Sequence, residues 1–284
     1  MNKKPKTSNS KKPSTSINDA DFVFFASADN EVKLFNLDAI QFLRTLPDKS
    51  VDLIVTDPAY SGMNQHLKLG KGRIVGKYSE KETSGKWFDE FHDTEENYRI
   101  FLNECFRVLK DNRHIYIMFD SFSLISLAPI VRTVFDLKNI VVWDKVNMGM
   151  GHYFRRRHEF ILFACKGKKP LTNRATPDVW RIKRLSSAKY PTQKPVELFD
   201  CMLSGSSEQD YVVCDPFVGS GSSMMSAIKH GCKFIGNDIS KNALKMTSDR
   251  YLTIKKTMVD KLQPSSMLLD GEKYNWLIQN GKLI

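Results

Sequence analysis

The segment VDLIVTD, residues 51–57, is almost wholly apolar until it stops at an acid. A short continuous run of Val51, Leu53, Ile54 and Val55 predicts a strand buried on both faces, as in a parallel sheet. Runs of the same kind recur in EVKLFNLDA, HIYIMF, NIVVW, EFILFACKG, YVVCD and KFIGND. Between them the apolar positions change to helical spacing. IQFLRTLPD predicts a short helix ended by its proline, and ENYRIFLNECFRVLK one with Ile100, Leu102, Phe106 and Leu109 near one face. LISLAPIVRTVF, KPVELFDCML, SSMMSAIKHG and KNALKMTSDRYL supply the remaining helices. Strands separated by helices predict an α/β fold, with a mainly parallel sheet, an antiparallel strand and helices on both faces. No internal repeat is visible.

Two intervals break the alternation. Residues 61–85 hold five glycines with Lys68, Lys71, Arg73, Lys77 and Lys81 among them, and 167–191 is also irregular. Loops of such length are usually functional or disordered. The start, MNKKPKTSNSKKPSTS, has almost nothing to bury, so residues 1–20 read as a disordered basic tail and 21–284 as one folded domain. No apolar segment follows the tail and none spans a bilayer, which predicts neither a secretory signal nor a membrane anchor. The five cysteines are odd in number and show no C-x-x-C spacing, as expected of free thiols in a reducing cytoplasm rather than a zinc or disulfide framework.

Charge sharpens this picture. Of the net +11, residues 1–13 contribute +5 and residues 155–189 contribute +9, leaving the rest of the chain at −3. The larger cluster also carries Phe160, Phe163 and Trp180, and basic residues interleaved with aromatics point to nucleic acid. A solvated charged face is the plainer alternative.

Chemistry concentrates at two strand ends. The first reads Asp57, Pro58, Ala59, Tyr60. The second, VVCDPFVGSGSSMMSAIKHG, ends a strand at Asp215, turns through Gly219, Ser220 and Gly221, and enters a helix. Glycines there let a ligand approach the backbone, and the helix start offers unpaired N–H groups. Asp238, at the end of the next strand, is placed to accept hydrogen bonds from ribose hydroxyls. The third glycine of a dinucleotide fingerprint is replaced by Met224. Both a nicotinamide pocket and an S-adenosylmethionine pocket remain open on these residues; Asp215 would serve the second by meeting the methionine ammonium.

The order of the two motifs, with DPAY early and the glycine turn late, resembles the β class of DNA amino-methyltransferases over roughly residues 30 to 255. DPAY is similar to that family's Asp-Pro-Pro-Tyr motif. NIVVWDKVNMGMGHYFRRRHEFILFACKGK is similar to its W-x-K … H-E strand pair, and TQKPVELF to its segment over the methionine end of the cofactor. The resemblance implies a Rossmann-like methyltransferase fold and S-adenosyl-L-methionine as cofactor. It implies cofactor contacts from Asp215, Phe217, Gly219, Gly221 and Asp238, with Thr192, Gln193 and Lys194 close by. It also implies methyl transfer to adenine N6 in double-stranded DNA, since an initial Asp goes with adenine and Ser with cytosine N4. Ala59 departs from the family's second proline, which bears on rate, and an inactive DNA-binding relative is the alternative of another class. A homodimer, a cognate restriction enzyme and a prokaryotic or phage-infected cytoplasm fit the same resemblance.

On this reading Asp57 and the Pro58 carbonyl accept the hydrogens of the target amine and relieve the positive charge that develops as methyl arrives. Tyr60 offers a face for a flipped base. The plainer alternatives are a helix cap for Asp57 and a core aromatic for Tyr60. No Pro-Cys pair exists to serve the thiolate chemistry of ring-carbon methylation. Target recognition falls to residues 166–190, where Arg174, Arg181, Lys183, Arg184 and Lys189 are candidates for phosphates or guanine edges, and to Lys68, Lys71 and Arg73 in a DNA-facing loop. Trp180 would wedge into DNA or close a small local core. His152 and His158 suggest no metal site.

Overall fold

A computed structural model describes residues 22–60, 91, 93–149, 153–186, 190 and 193–262, with side chains to residue 258. The basic tail, Lys68, Lys71, Arg73, His152, Lys189 and Thr192 lie outside the described residues. The strands are β1 (Val23–Ala26), β2 (Val32–Phe35), β3 (Val51–Thr56), β4 (Leu109–Phe119), β5 (Asp136–Asp144), β6 (His158–Lys166), β7 (Val179–Arg181), β8 (Val212–Asp215) and β9 (Lys233–Asn237). The helices are α1 (Ala39–Thr45), α2 (Glu95–Val108), α3 (Ser121–Val134), α4 (Val196–Ser206), α5 (Ser222–Lys229) and α6 (Lys241–Leu262).

One sheet runs β1-β2-β9-β8-β3-β4-β6-β5-β7. The pairings from β2 through β4 are parallel, β6 runs against both β4 and β5, and β7 joins β5 in parallel. The expected antiparallel strand is β6. A second one, β1, lies against β2 at the edge. Strand β3 is buried at all six positions because both of its faces are covered. The α1, α2 and α3 helices close one face around Phe42, Phe101 and Leu102, and α4, α5 and α6 close the other around Met202, Met224 and Leu244. Within β3 the buried Asp52 is the one polar interruption besides Thr56. Lys110 at 2.8 Å, Arg113 at 3.2 Å and the Val212 N–H at 3.1 Å satisfy it, as a buried carboxylate requires.

Three local expectations need correction. Helix α2 buries Tyr98, Phe101, Leu102, Cys105 and Val108, whereas Phe106 is exposed and Leu109 already belongs to β4. Two apolar stripes share that helix, and the sheet selects the one spaced three and four residues apart. The irregular segment 167–191 contains β7, so Arg181 lies on a strand. Trp180 does not project as a wedge. It is buried, and its indole N–H donates to the Pro177 carbonyl at 2.8 Å, closing a local core with Trp143 beside it. Among the described residues no helix is long and apolar enough to cross a membrane.

Candidate functional site

Strands β3 and β8 are neighbours, but the chain leaves them in opposite directions: β3 leads toward β4, and β8 through α5 toward β9. A crevice opens outside the C-terminal ends of strands at such a switch point, where ligands bind in open α/β sheets. Asp57 follows β3 and Asp215 ends β8, so the two motifs far apart in sequence meet here. Asp120 follows β4 at the same edge, where it caps α3 through the Phe122 and Ser123 N–H groups.

Asp57 is not a helix cap. Its Oδ2 forms an ion pair with Lys194 Nζ, which also lies 3.6 Å from Glu159 Oε2. Glu159, at the start of β6, takes Lys145 Nζ on its other oxygen at 2.9 Å. Four alternating charges therefore line the crevice. Burial works against Lys194, but the Asp57 and Glu159 carboxylates outweigh it and raise its pKa. Burial likewise opposes ionised Glu159, and the two ammonium groups outweigh it and hold its carboxyl low. For Asp57 burial wins and raises the carboxyl, opposed by Lys194 and reinforced by Glu159 and Asp120. Among the described residues nothing donates to Asp57 Oδ1 or to the carbonyl of the buried Pro58. These two acceptors belong to consecutive residues just after β3.

Tyr60 differs from its expected role. Its ring is 1% exposed, stacks on Phe119 at 5.1 Å between centroids, and its hydroxyl donates to the Met118 carbonyl at 3.1 Å. The apolar neighbours of β4 and α2 have claimed the face that a base would need. Tyr60 is a core aromatic that anchors the turn after β3, and the Ala59 carbonyl accepts from the Phe91 N–H at 2.9 Å in the same turn.

The cofactor half forms around Asp215, which is 2% exposed. It accepts from Ser223 Oγ at 2.6 Å and from the Phe217 N–H at 3.0 Å, and it enters no ion pair among the described residues. Burial, with Asp57 adding to it, pushes its carboxyl up to about 7. A buried acid with hydroxyl and amide donors but no cation suits an incoming ammonium, so the donor set fits the methionine end of the expected cofactor. Gly219 and Gly221 have φ of +50° and +78°, and a Cβ on Gly221 would lie 2.7 Å from Thr247. Thr247 donates to the Gly219 carbonyl at 3.0 Å, which closes the turn. Asp238 accepts from the Gly219 N–H and the Ser240 N–H, both at 2.9 Å, so it holds the turn. Phe217 packs against Phe91 and Phe101 while staying half-buried, and the Gln193 N–H bonds the Tyr190 carbonyl.

Lys194 is the residue whose expected place changes most: its side chain reaches the catalytic half instead of the glycine turn. Sequence reasoning left Glu159 and Lys145 out of the site, although both stand in the W-x-K … H-E segment as signals. The β5–β6 connection, whose arginines belong to the basic cluster of residues 155–189, is strongly exposed. There Tyr153 is 94% exposed, Phe154 is fully exposed, and Arg155 and Arg156 follow. Arg157 in contrast is held by Asp144 through two bonds of 2.6 Å. Arg181 at the end of β7 and Lys183 and Arg184 just after it are exposed on the same sheet edge as Asp57, because β7, β5 and β3 point the same way. Arg174 is exposed in the turn before β7. Among the described residues no cluster of three or more His, Cys, Asp or Glu is arranged to hold a metal.

The family model for DNA methylases of the N6 and N4 kind matches residues 51–249, which includes both strand ends. The chain is 26% identical to the type II methyltransferase M2.MboI of Moraxella bovis over 253 residues, covering 80% of this chain and 90% of that one. It is 27% identical to the type II methyltransferase M.HhaII of Haemophilus parahaemolyticus, covering 77% and 93%. Among solved structures, the cytosine-N4-specific PvuII DNA methyltransferase superposes with a TM-score of 0.62 at 14% identity, covering 92% of this chain and 96% of that one. The M1.HpyAVI–SAM complex superposes with a TM-score of 0.54 at 19% identity, covering 77% and 99%. These two show a shared fold.

Proposed function

The chain belongs to the family of N6 and N4 DNA methylases, and from that premise we propose that it methylates adenine N6 in duplex DNA, using S-adenosyl-L-methionine. The observation that carries this reading is the pair of acceptors that have no donor among the described residues, Asp57 Oδ1 and the Pro58 carbonyl, together with a buried Asp215 that enters no ion pair among them. An exocyclic amine is a poor nucleophile because its lone pair is delocalised into the ring. Two fixed acceptors for its two hydrogens favour a pyramidal nitrogen and stabilise the charge that develops on it. The target base has to leave the helix to reach them. When bound, S-adenosyl-L-methionine supplies the methyl group as an electrophile. Asp215 would take its ammonium, Asp238 its ribose hydroxyls, and Gly219 and Gly221 admit it to the backbone, with Phe217, Thr192 and Gln193 around it.

Asp57 favours adenine over cytosine, by the family's association of an initial Asp with adenine. DNA would lie along the edge that carries Arg174, Arg181, Lys183 and Arg184, with Lys189, Lys68, Lys71 and Arg73 as further contacts. In domain terms, 21–284 is the methyltransferase unit, 166–190 its recognition insert and 61–85 its DNA-facing loop.

The test is incubation of the protein with labelled S-adenosyl-L-methionine and duplex DNA, followed by digestion to nucleosides and mass spectrometry. N6-methyladenine is the expected product. N4-methylcytosine would overturn the choice of base, and an absence of methylated nucleoside would overturn the activity.

A further inference from the structure

A catalytic acceptor in contact with a lysine is at first sight blocked. The geometry resolves this, because Lys194 occupies Oδ2, and among the described residues Oδ1 has no donor. The lysine is itself held from three sides. Its carbonyl accepts from Ser222 Oγ at 2.7 Å, at the first residue of α5. Its ammonium lies between Asp57 and Glu159, and Lys145 fixes Glu159 from the far side. A single residue thus joins the glycine-turn helix to the acid at the end of β3.

Accepting the proposed methyl transfer, we infer that Lys194 is a positioning residue that keeps Asp57 ionised and turned so that Oδ1 alone meets the target amine. The charges around Asp57 make this necessary. Glu159 faces it from β6, Asp120 from the end of β4 and Asp215 from the end of β8, all carboxylates, with Tyr60 below. Lys194 is the cation in contact with it, and Lys145 acts one step removed through Glu159. Without that cation the cluster of acids would hold a proton. A protonated carboxyl presents an O–H donor where the amine needs an acceptor. The tie to Ser222 also makes the acceptor's position follow that of the turn beside which the cofactor would lie.

Two measurements test the role, one independent of turnover. Carbon-13 titration of the Asp57 carboxyl should show the Lys194→Gln protein ionising at higher pH than the natural one, and the Glu159→Gln protein at lower pH. Single-turnover methyl transfer should then follow: the acid limb of the pH–rate profile moves up in Lys194→Gln and down in Glu159→Gln. The Lys194→Gln rate at neutral pH should fall by about 10²-fold, the scale of losing one preorganised electrostatic partner. Glu159→Gln/Lys194→Gln together should bring the limb part of the way back, because one opposing carboxylate is gone. Lys194→Arg should keep the limb, since the charge remains, while losing rate through its wider head group. A Lys194→Gln protein that folds but shows an unmoved titration and limb would overturn the inference and reduce Lys194 to a structural tie. If the natural protein transfers no methyl group, the proposed activity falls, and the carboxyl titration still decides whether Lys194 governs Asp57.

Discussion

Asp57 and Asp215 stand at the ends of adjacent parallel strands, the first half-buried and the second buried, yet their charges are compensated differently. Asp57 has its counter-charge within the chain, in Lys194. Among the described residues Asp215 has hydroxyl and amide donors but no cation, and burial raises its carboxyl to about 7. A group that must act on each neutral substrate amine needs its charge present beforehand. A group that receives a cationic ligand can leave that charge to the ligand. The difference separates the catalytic half from the cofactor half more clearly than burial does.

The largest effect should come from removing the compensated acid. Asp57→Ala is expected to lower single-turnover methylation by about 10²–10³-fold while cofactor binding, measured by calorimetry, stays close to that of the natural protein. A loss of only a few-fold would mean that the acceptor lies elsewhere.

The uncompensated acid should show itself through pH. Because a cation prefers ionised Asp215, cofactor affinity should rise roughly tenfold per unit as pH climbs toward about 7 and level off above it. Asp215→Asn should bind weakly with no such slope. The same residue costs stability in the absence of ligand. Its folded carboxyl binds a proton up to about pH 7, while the unfolded one releases it near the ordinary aspartate value of 3.8, so stability falls as pH rises between those values. Asp215→Asn should therefore raise the thermal midpoint at pH 8 by about 3–6 °C, whereas Asp57→Asn, which removes the nearer of the two carboxylates around Lys194, should lower it. Thermal scans that shift both variants in one direction would erase the contrast drawn above.

Asp238→Ala should weaken cofactor binding by roughly 10- to 100-fold, through lost ribose acceptors and a loosened Gly219 turn. Unchanged affinity in a titration would exclude it from the pocket. The smallest effect on chemistry belongs to the basic edge. Neutralising Arg181, Lys183 and Arg184 together should leave cofactor binding alone and make the slope of log DNA affinity against log salt shallower by about 0.9 per lost phosphate contact. Should one of them read a guanine, discrimination at that pair would fall by about 1–3 kcal/mol instead. Neither change would return this edge to a solvated face.

Local patterns were the legible part of this chain. An apolar run predicts a buried strand, and a 3.6-residue period a helix, because burial repeats with the geometry of the element itself. That is why β3, β8, β9 and the turn from Asp215 through Gly221 to Asp238 could be placed from residue order alone. The two-stripe helix α2 and the strands β1 and β7 could not. β1 and β7 have only 4 and 3 residues and, unlike the equally short β8, no following turn motif to mark them, so it is the neighbouring strand that makes them strands. The site divides in the same way. Asp57, Pro58, Asp215 and the glycines announce themselves by spacing. Lys194 and Asp57 are 137 residues apart, and Glu159 on β6 with Lys145 just after β5 joins them, so only the sheet order creates their shared charge. Tyr60 lost its predicted open face for a related reason: whether an aromatic ring meets solvent or a core is decided by what packs over it, here Phe119 from β4, and no local pattern carries that.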